Sequence, residues 1–419
     1  MISLILLIAW LTCGLLERTA LCTKHEAHLQ TASMVGGRLM RIPYTAPLPN
    51  PTLFPATAST IDGAVDALQN FLASPSPASD TGGKTLILSG AGISVASGLA
   101  DYRGSHGTYT LNKTYRPIYF HEFSGNHEAR KRYWARSFLG WTNLHRSRPN
   151  PAHFAVGRLG ELGFVNNVVT QNVDSFHSKA HPRLKTLELH GYLRSTVCLT
   201  CRTEYDRDRF QDDLSRLNPA WAAFLAQMLE SGALTTEDPH ERRRLGLKTN
   251  PDGDVDVPGV DYNTFKYPAC PKCLHNPRLA EEGKKVIVDA DGAWNSGSNA
   301  GILKPAVIMF GESISNPVKL AVESAVDGAS RLLVLGSSLA TYSAWRIAKR
   351  AKEQGKPVAA VNMGGLRGEE NFFADVPSNT NGREGVRCDL PLEQTLPALV
   401  ERLQQSRKGE RIFQPAPWR

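Results

Sequence analysis

The chain has 419 residues, 48 of them Lys or Arg and 40 Asp or Glu, for a formal net charge of +8. A hydrophobic content of 41% is ordinary for a globular protein, which excludes a disordered or fibrous chain and allows one large domain with insertions or two to three average ones. The basic residues are scattered without a long Lys/Arg run, which argues against direct nucleic-acid binding.

The first residues are apolar. Ile2 to Leu16 carries no charge, but it is shorter than the roughly 20 residues of a bilayer span, so no stable membrane span is expected. Its length suits the core of a secretory signal. From Ala27 to Ile61 no acidic residue occurs, while Arg38 and Arg41 stand among several Ser and Thr, in the manner of an organelle transit peptide. Met34 and Met40 offer alternative starts. A mitochondrial matrix destination is the expectation, with residues 1–59 as leader. Pro43, Pro47, Pro49, Pro51 and Pro55 make the end of that leader an extended arm rather than a core element.

Ile61, Val65, Leu68 and Leu72 recur at helical spacing. Thr85 to Leu88 reads as a short strand running into a glycine-rich turn, Gly90-Ala91-Gly92-Ile93-Ser94, and on to Gly98. Glycine at 90 and 92 lets the backbone bend sharply and approach a ligand, and a following helix N-terminus offers N–H groups to a pyrophosphate. Alone, such a turn is equally well explained as a tight connection. Further strand-like runs are Asn167 to Thr170, Ala306 to Phe310, Arg331 to Leu335 and Pro357 to Val361, and Ala344 to Glu353 is helical. Buried runs alternating with helices predict an α/β fold with a doubly wound, Rossmann-like parallel sheet. This large lobe takes in 60–110, 149–195 and 301–410. A helical insertion fills 111–148, around a helix from Glu128 to Trp141; a polar, turn-rich small lobe fills 196–300, and 411–419 is a tail.

Seven cysteines are present: Cys13, Cys22, two C-x-x-C pairs and Cys388. Cys198-Leu-Thr-Cys201 and Cys270-Pro-Lys-Cys273 form two knuckles that together aim four thiolates at one tetrahedral ion. Four thiolates leave no position for water, so a structural zinc is expected; a redox disulfide or unrelated thiols are the alternatives. Three polar clusters follow predicted strands or precede the first knuckle: Thr170-Gln171-Asn172-Val173-Asp174, Glu188-Leu189-His190-Gly191 and Gly336-Ser337-Ser338-Leu339. Each alone reads as turn chemistry. Together with Gly90–Ser94, on strand ends of one sheet, they read as a shared cleft.

The ordered set G-A-G-I-S, S-G-L-A-D-Y-R-G, T-Q-N-V-D-S-F-H, L-H-G, paired C-x-x-C, V-I-M-F-G-E, G-S-S-L and V-N-M-G closely resembles the sirtuins, from about residue 60 to 400. R-Y-W-A-R (Arg132 to Arg136), L-N-P-x-W (Leu217 to Trp221) and P-D-G-D-V (Pro251 to Val255) look most like the mitochondrial class II branch. The resemblance implies an NAD-dependent protein-lysine deacylase yielding nicotinamide, O-acyl-ADP-ribose and free lysine. It implies that Gly90 to Ser94, Gly98 and the stretch Ala100-Asp101-Tyr102-Arg103 line the pyrophosphate and nicotinamide-ribose end of NAD. Gln171 would contact the ribose; Asn172, Val173 and Asp174 would sit by the nicotinamide. Gly336, Ser337, Ser338, Asn362, Met363, Gly364 and Cys388 would hold the adenosine half. His190 would be the proton acceptor, with Asn172 beside it in the chemistry. Tyr133 and Arg136, three apart on a helix and so on one face, match a pair that recognises acidic acyl groups in class II relatives. Ala100 departs from the family pattern, which has proline there, and the segment between the cysteine pairs is longer than usual. Transfer of ADP-ribose to protein from the same NAD site is the alternative activity.

Overall fold

The computed structural model describes residues 47–74, 84–105, 107–111, 115–232, 248–249, 254–257 and 259–412. The apolar and basic stretches of the leader, and most of the tail, lie outside these residues. In chain order the strands are β1 (Thr85–Ser89), β2 (Val165–Thr170), β3 (Lys185–Glu188), β4 (Gly191–Cys198), β5 (Glu204–Asp206), the short pair β6 (Lys248–Thr249) and β7 (Val255–Asp256), β8 (Leu303–Val307), β9 (Arg331–Leu335), β10 (Val358–Val361) and β11 (Gly385–Cys388).

Six of them form a parallel sheet in the order β11-β10-β9-β1-β2-β3. Successive side chains point to opposite faces, and because helices cover both, the inner strands β1, β9 and β10 are apolar almost throughout. Ile87, Leu333, Leu335, Ala359, Val361 and Val386 point to one face, beneath the helices Ile61–Ala73, Pro151–Glu161 and Leu392–Ile412. Leu86, Leu88, Leu332, Val334, Val358 and Ala360 point to the other, beneath Asn316–Asp327 and Tyr342–Glu353. Local chemistry sets where the helices begin. The Thr60 side chain accepts from the Gly63 amide, Asn150 from Ala152, and Thr341 from Ala344.

Register and strand order together position the site. Ser89 lies opposite both Thr170 and Leu335, Thr170 opposite Glu188, Leu335 opposite Val361, and Val361 opposite Cys388. The six strands therefore end level. The order reverses between β1 and β9, the crevice where open α/β sheets bind their ligands.

Two expectations are corrected, and two strands are added. The run at Ala306 to Phe310 is not a strand of the parallel sheet. Its strand, β8, pairs antiparallel with β4 in a separate sheet of order β5-β4-β8. Pro305 lacks a ladder donor, which confines this strand to an edge. Two parallel strands, β3 and β11, went unread: β3 is half-exposed and has no apolar run, and Arg387 interrupts β11. Finally, the described end of the leader is part of the fold. Phe54 exchanges backbone hydrogen bonds with Arg387, at 3.0 and 2.6 Å, and Ala58 is fully buried. An edge strand carries unpaired N–H and C=O groups, and the arm satisfies those at Arg387.

The helix His127–Arg146 and the zinc-lobe helices Arg207–Leu217 and Pro219–Glu230 contribute to one further apolar cluster, with Trp134, Phe138, Phe210, Phe265 and the knuckle cysteines inside it. Arg207, fully buried there, lies 4.5 Å from the Trp141 ring and donates to the Ser137 carbonyl and hydroxyl.

A buried ion pair ties arm, edge strand and site together. Arg387 Nε meets Glu369 Oε1 at 3.1 Å with both side chains almost wholly buried. The same carboxylate accepts from the amides of Thr52 (2.8 Å) and Leu366 (3.0 Å). Removing one partner of such a pair leaves a buried charge, so Glu369→Ala is expected to cost about 3–5 kcal/mol. Chemical denaturation checks this, and a loss below about 1 kcal/mol would show the pair to be dispensable.

Candidate active site and metal centre

At the reversal point two turns meet backbone to backbone. A Cβ on Gly90 would stand 2.8 Å from Ser337 Cβ, one on Gly92 2.8 Å from the Gly336 oxygen, and one on Gly336 2.4 Å from the Ile93 nitrogen. Gly336 also has φ +58°, a left-handed conformation that favours glycine. The glycines at 90 and 92 thus let two turns pack backbone to backbone. Two amides of this turn are engaged within the protein: Gly92 N–H donates to the Gly336 carbonyl (2.8 Å) and Ile93 N–H to that of Gly90 (3.1 Å). Ala91 to Ser97 form a short 3-10 helix, which Gly98 ends at φ +80°.

Polar side chains from β1 and β2 interlock behind this contact. Ser94 Oγ donates to Asp174 Oδ2 (2.7 Å) and accepts from Asn172 Nδ2 (3.2 Å), and that amide also reaches the Gly90 carbonyl. Burial pushes the Asp174 carboxyl up, while the Phe176 amide and the Ser94 hydroxyl pull the other way. Gln171 Nε2 donates to Ser337 Oγ (2.7 Å), crossing from β2 over β1 to β9. The Val173 carbonyl accepts from Leu193 N–H. Asp101, Tyr102 and Arg103 curl within their own loop: Asp101 Oδ2 accepts from Gly104 N–H (2.9 Å), the Tyr102 ring stacks on Tyr109, and the Arg103 guanidinium lies 5.2 Å from the Tyr109 ring. Ala100, before them, is half-buried.

His190 follows β3 and is half-buried. Its Nδ1 lies 3.1 Å from the Gln171 carbonyl and its Nε2 2.8 Å from Ser343 Oγ. Burial pushes the imidazole down to about 4, with the Gln171 carbonyl acting the other way. Behind the strand ends lies a row of buried histidines. His177 Nε2 is 2.8 Å from Ser89 Oγ and its Nδ1 2.9 Å from His181 Nε2; the His153 ring is 5.2 Å away. Burial pushes all three down, His153 to about 3, so they stay neutral near pH 7. Thr170 begins one of the polar clusters read as a shared cleft, whereas Ser89, Asn150, His177, Thr341 and Ser343 were not anticipated as parts of this network. Only Asn150 carried a local signal, an Asn-Pro at a helix start.

The other end of the crevice is built from β10 and β11. Arg387 Nη1 donates to the carbonyls of Asn362 (2.9 Å) and Cys388 (2.6 Å), and Nη2 to that of Gly364. Asn362 Nδ2 donates to the Gly364 carbonyl (3.0 Å), Gly364 N–H to Asp389 (3.0 Å), and Met363 is exposed. The Cys388 side chain lies in the apolar core under the helix Leu392–Ile412, where burial pushes the thiol up to about 12. What Cys388 offers the edge is its carbonyl, which accepts from Asn362 N–H. Ser338 is held through its carbonyl by Arg367 N–H (2.9 Å).

The four knuckle cysteines converge. Sγ of Cys198 and Cys273 are 3.6 Å apart, those of Cys201 and Cys270 are 3.7 Å apart, and all four lie within 4.8 Å of one another. A disulfide needs about 2.05 Å. A tetrahedral zinc with bonds of about 2.3 Å spaces its sulfurs at about 3.8 Å, and this donor set fits it. The frame is rigid: Cys270 N–H donates to the Gly301 carbonyl and Gly301 N–H to Thr200 Oγ1, joining the knuckles.

Tyr133 and Arg136 lie on the helix His127–Arg146. The Tyr133 ring packs edge-on against Phe123 and Trp134. Arg136 Nη2 meets Asp254 Oδ2 at 2.6 Å, both side chains buried.

Against known proteins, a profile of the Sir2 family matches residues 90–343. An NAD-dependent protein deacylase, SIR4, of Batrachochytrium dendrobatidis is 39% identical over 292 residues, 69% of this chain and 83% of its own. NAD-dependent protein deacylase SRT2 of Arabidopsis thaliana is 35% identical over 300 residues, covering 71% and 70%. NAD-dependent protein deacylase Sirt4 of Drosophila melanogaster is 33% identical over 291 residues, covering 70% and 77%. A solved Sir2 homologue mutant in complex with ADP-ribose superposes at a TM-score of 0.51 and 19% identity, over 81% of this chain and 97% of that one, a likeness of fold.

The purified protein is expected to carry one zinc per chain. Elemental analysis and melting curves check this: Cys273→Ala should lose the ion and melt lower, and an unchanged melting temperature would contradict a structural ion.

Proposed function

The chain belongs to the Sir2 family, the sirtuins, and from that premise we propose that it removes acyl groups from protein lysines with NAD as co-substrate. One observation carries the reading. The segments 90–94, 171–174, 188–190, 336–338 and 362–364 all leave one level sheet edge, astride the point where strand order reverses.

In this reading NAD supplies a glycosidic bond whose cleavage activates the otherwise stable acyl-lysine amide. Gly90–Ser94, Gly98 and Ala100–Arg103 hold its pyrophosphate and nicotinamide ribose, with Gln171 on the ribose. Asn172, Val173 and Asp174 border the nicotinamide. Gly336–Ser338, Asn362–Gly364 and the Cys388 backbone hold the adenosine half. His190 takes the proton from the ribose hydroxyl that attacks the former amide carbon. The zinc of Cys198, Cys201, Cys270 and Cys273 braces the small lobe and takes no part in the chemistry. Relatives named as deacylases and deacetylases favour this over ADP-ribosyl transfer to protein.

A finer reading concerns the acyl group. Arg136 already holds a carboxylate, that of Asp254, so its guanidinium is oriented for an acidic acyl chain that would take Asp254's place, with Tyr133 beside it. The likeness to the fruit-fly Sirt4 protein and the acid-free stretch Ala27 to Ile61 favour a mitochondrial destination, which N-terminal sequencing of the protein recovered from isolated mitochondria decides.

One experiment addresses both activity and selectivity. Acetyl-, succinyl- and glutaryl-lysine peptides are offered with NAD, and products are read by mass spectrometry. The wild type should yield O-acyl-ADP-ribose, and His190→Phe should lower its formation by about 100-fold or more. Modified protein in place of O-acyl-ADP-ribose would mean transfer. Arg136→Ala should depress turnover of the acidic acyl peptides selectively, and equal loss on all three would remove the acidic-acyl reading.

A further inference from the structure

The imidazole of His190 is held at both nitrogens, and the second contact belongs to no motif singled out in the sequence. At Nδ1 the neighbour is the backbone carbonyl of Gln171, 3.1 Å away. A carbonyl only accepts, so in the neutral ring Nδ1 carries the hydrogen and Nε2 the lone pair. At Nε2 the neighbour is Ser343 Oγ, 2.8 Å away, whose O–H is therefore the donor.

Ser343 is itself held. It lies in the first turn of the helix Tyr342–Glu353, next but one to the capping residue Thr341. Thr341 Oγ1 donates to Gln171 Oε1 at 3.1 Å and stands 3.5 Å from Ser343 Oγ. Gln171 Nε2 in turn donates to Ser337 Oγ at 2.7 Å and to the Ser89 carbonyl at 3.2 Å. The circuit closes on one residue. Gln171 fixes Nδ1 through its backbone, and its side chain anchors the Thr341–Ser343 pair that faces Nε2.

We propose that Ser343 is a positioning residue for the proton acceptor, its hydroxyl holding His190 in the tautomer with a bare Nε2 aimed into the crevice until the ribose hydroxyl takes its place. The proposal rests on the reading of His190 as proton acceptor. No atom changes hands at Ser343: the ribose O–H replaces the serine O–H at Nε2, and the single proton moved goes from ribose oxygen to imidazole. Two features favour the neutral ring that this requires. A hydroxyl donated to Nε2 stabilises the unprotonated form, and the positive end of a twelve-residue helix disfavours an imidazolium in front of it. Burial is the chief cause of the ring's depressed basicity, and its contacts are uncharged: the Gln171 carbonyl after β2, which acts the other way, and the Ser343 hydroxyl from the helix.

The test compares Ser343→Ala and Ser343→Thr with wild type in the full-length, zinc-loaded protein. The free enzyme is followed by NMR titration of the His190 ring, and with NAD and an acetyl-lysine peptide by single-turnover rates of nicotinamide release and of O-acyl-ADP-ribose formation. In Ser343→Ala the His190 pKa should rise by about half to one unit, since a donor to the neutral form is gone. O-acyl-ADP-ribose formation should fall about 10-fold while nicotinamide release stays within about twofold, because only the later step uses the base. Ser343→Thr, which keeps the hydroxyl, should restore both. A His190 pKa unmoved in Ser343→Ala, or a threonine that restores neither quantity, overturns the proposal. His190→Phe in parallel separates the two ideas: if it still forms O-acyl-ADP-ribose at the wild-type rate, the proton-acceptor reading itself has failed.

Discussion

The molecule depends on a contact between two stretches of bare backbone. Gly90 and Gly92, after β1, lie against Gly336, after β9, closer than any pair of side-chain-bearing residues could come. That approach lets the adjacent strands, already in register to their last residues, turn away from each other without separating. It is also why Gln171, one strand further on, reaches Ser337 with an ordinary amide. Move the two turns apart by the width of a methyl group and this bridge, with the Ser94 contacts to Asn172 and Asp174, loses its geometry. The glycines here act on protein geometry first, and a ligand inherits the result.

Behind this contact the interior is polar. His153, His177, His181 and His190 are all held below the usual histidine range by burial, and Asp174, whose carboxyl burial pushes up, is wrapped by a backbone amide and a hydroxyl. Neutral groups bonded to one another keep fixed directions at little electrostatic cost, whereas a full charge at the same depth would need a partner. A buried ion pair, Arg387 with Glu369, is placed at the far end of the crevice, where its surplus donors hold the Asn362–Gly364 turn.

Much of this was legible in the residues. Where an apolar run met a glycine or Ser/Asn cluster, as at Ser89–Gly90 and Leu335–Gly336, the strand end and its place in the crevice were both readable, because a buried strand and a tight turn each demand particular residue types. The paired cysteines were readable because metal geometry fixes their spacing. β3 and β11 were not, since Lys185–Glu188 is half-exposed and Arg387 breaks an otherwise apolar strand. The sheet assignment of the run Ala306 to Phe310 failed for a different reason: hydrophobicity reports burial and says nothing of the partner strand. The second layer of the site, Ser343, Thr341 and His177, leaves no trace in spacing. It is assembled from elements far apart in the chain by packing alone.

The short arm from Leu48 to Ser59 carries a consequence for truncation. Its Thr52 amide completes the partners of Glu369, and its Phe54 zips onto the sheet's border at Arg387, so this arm is structurally part of the crevice although it precedes the first helix. A chain shortened into the arm would bare a strand border and leave Glu369 without its Thr52 donor. The turn that Arg387 holds at Asn362–Gly364 therefore depends on residues that lie about three hundred positions earlier in the chain.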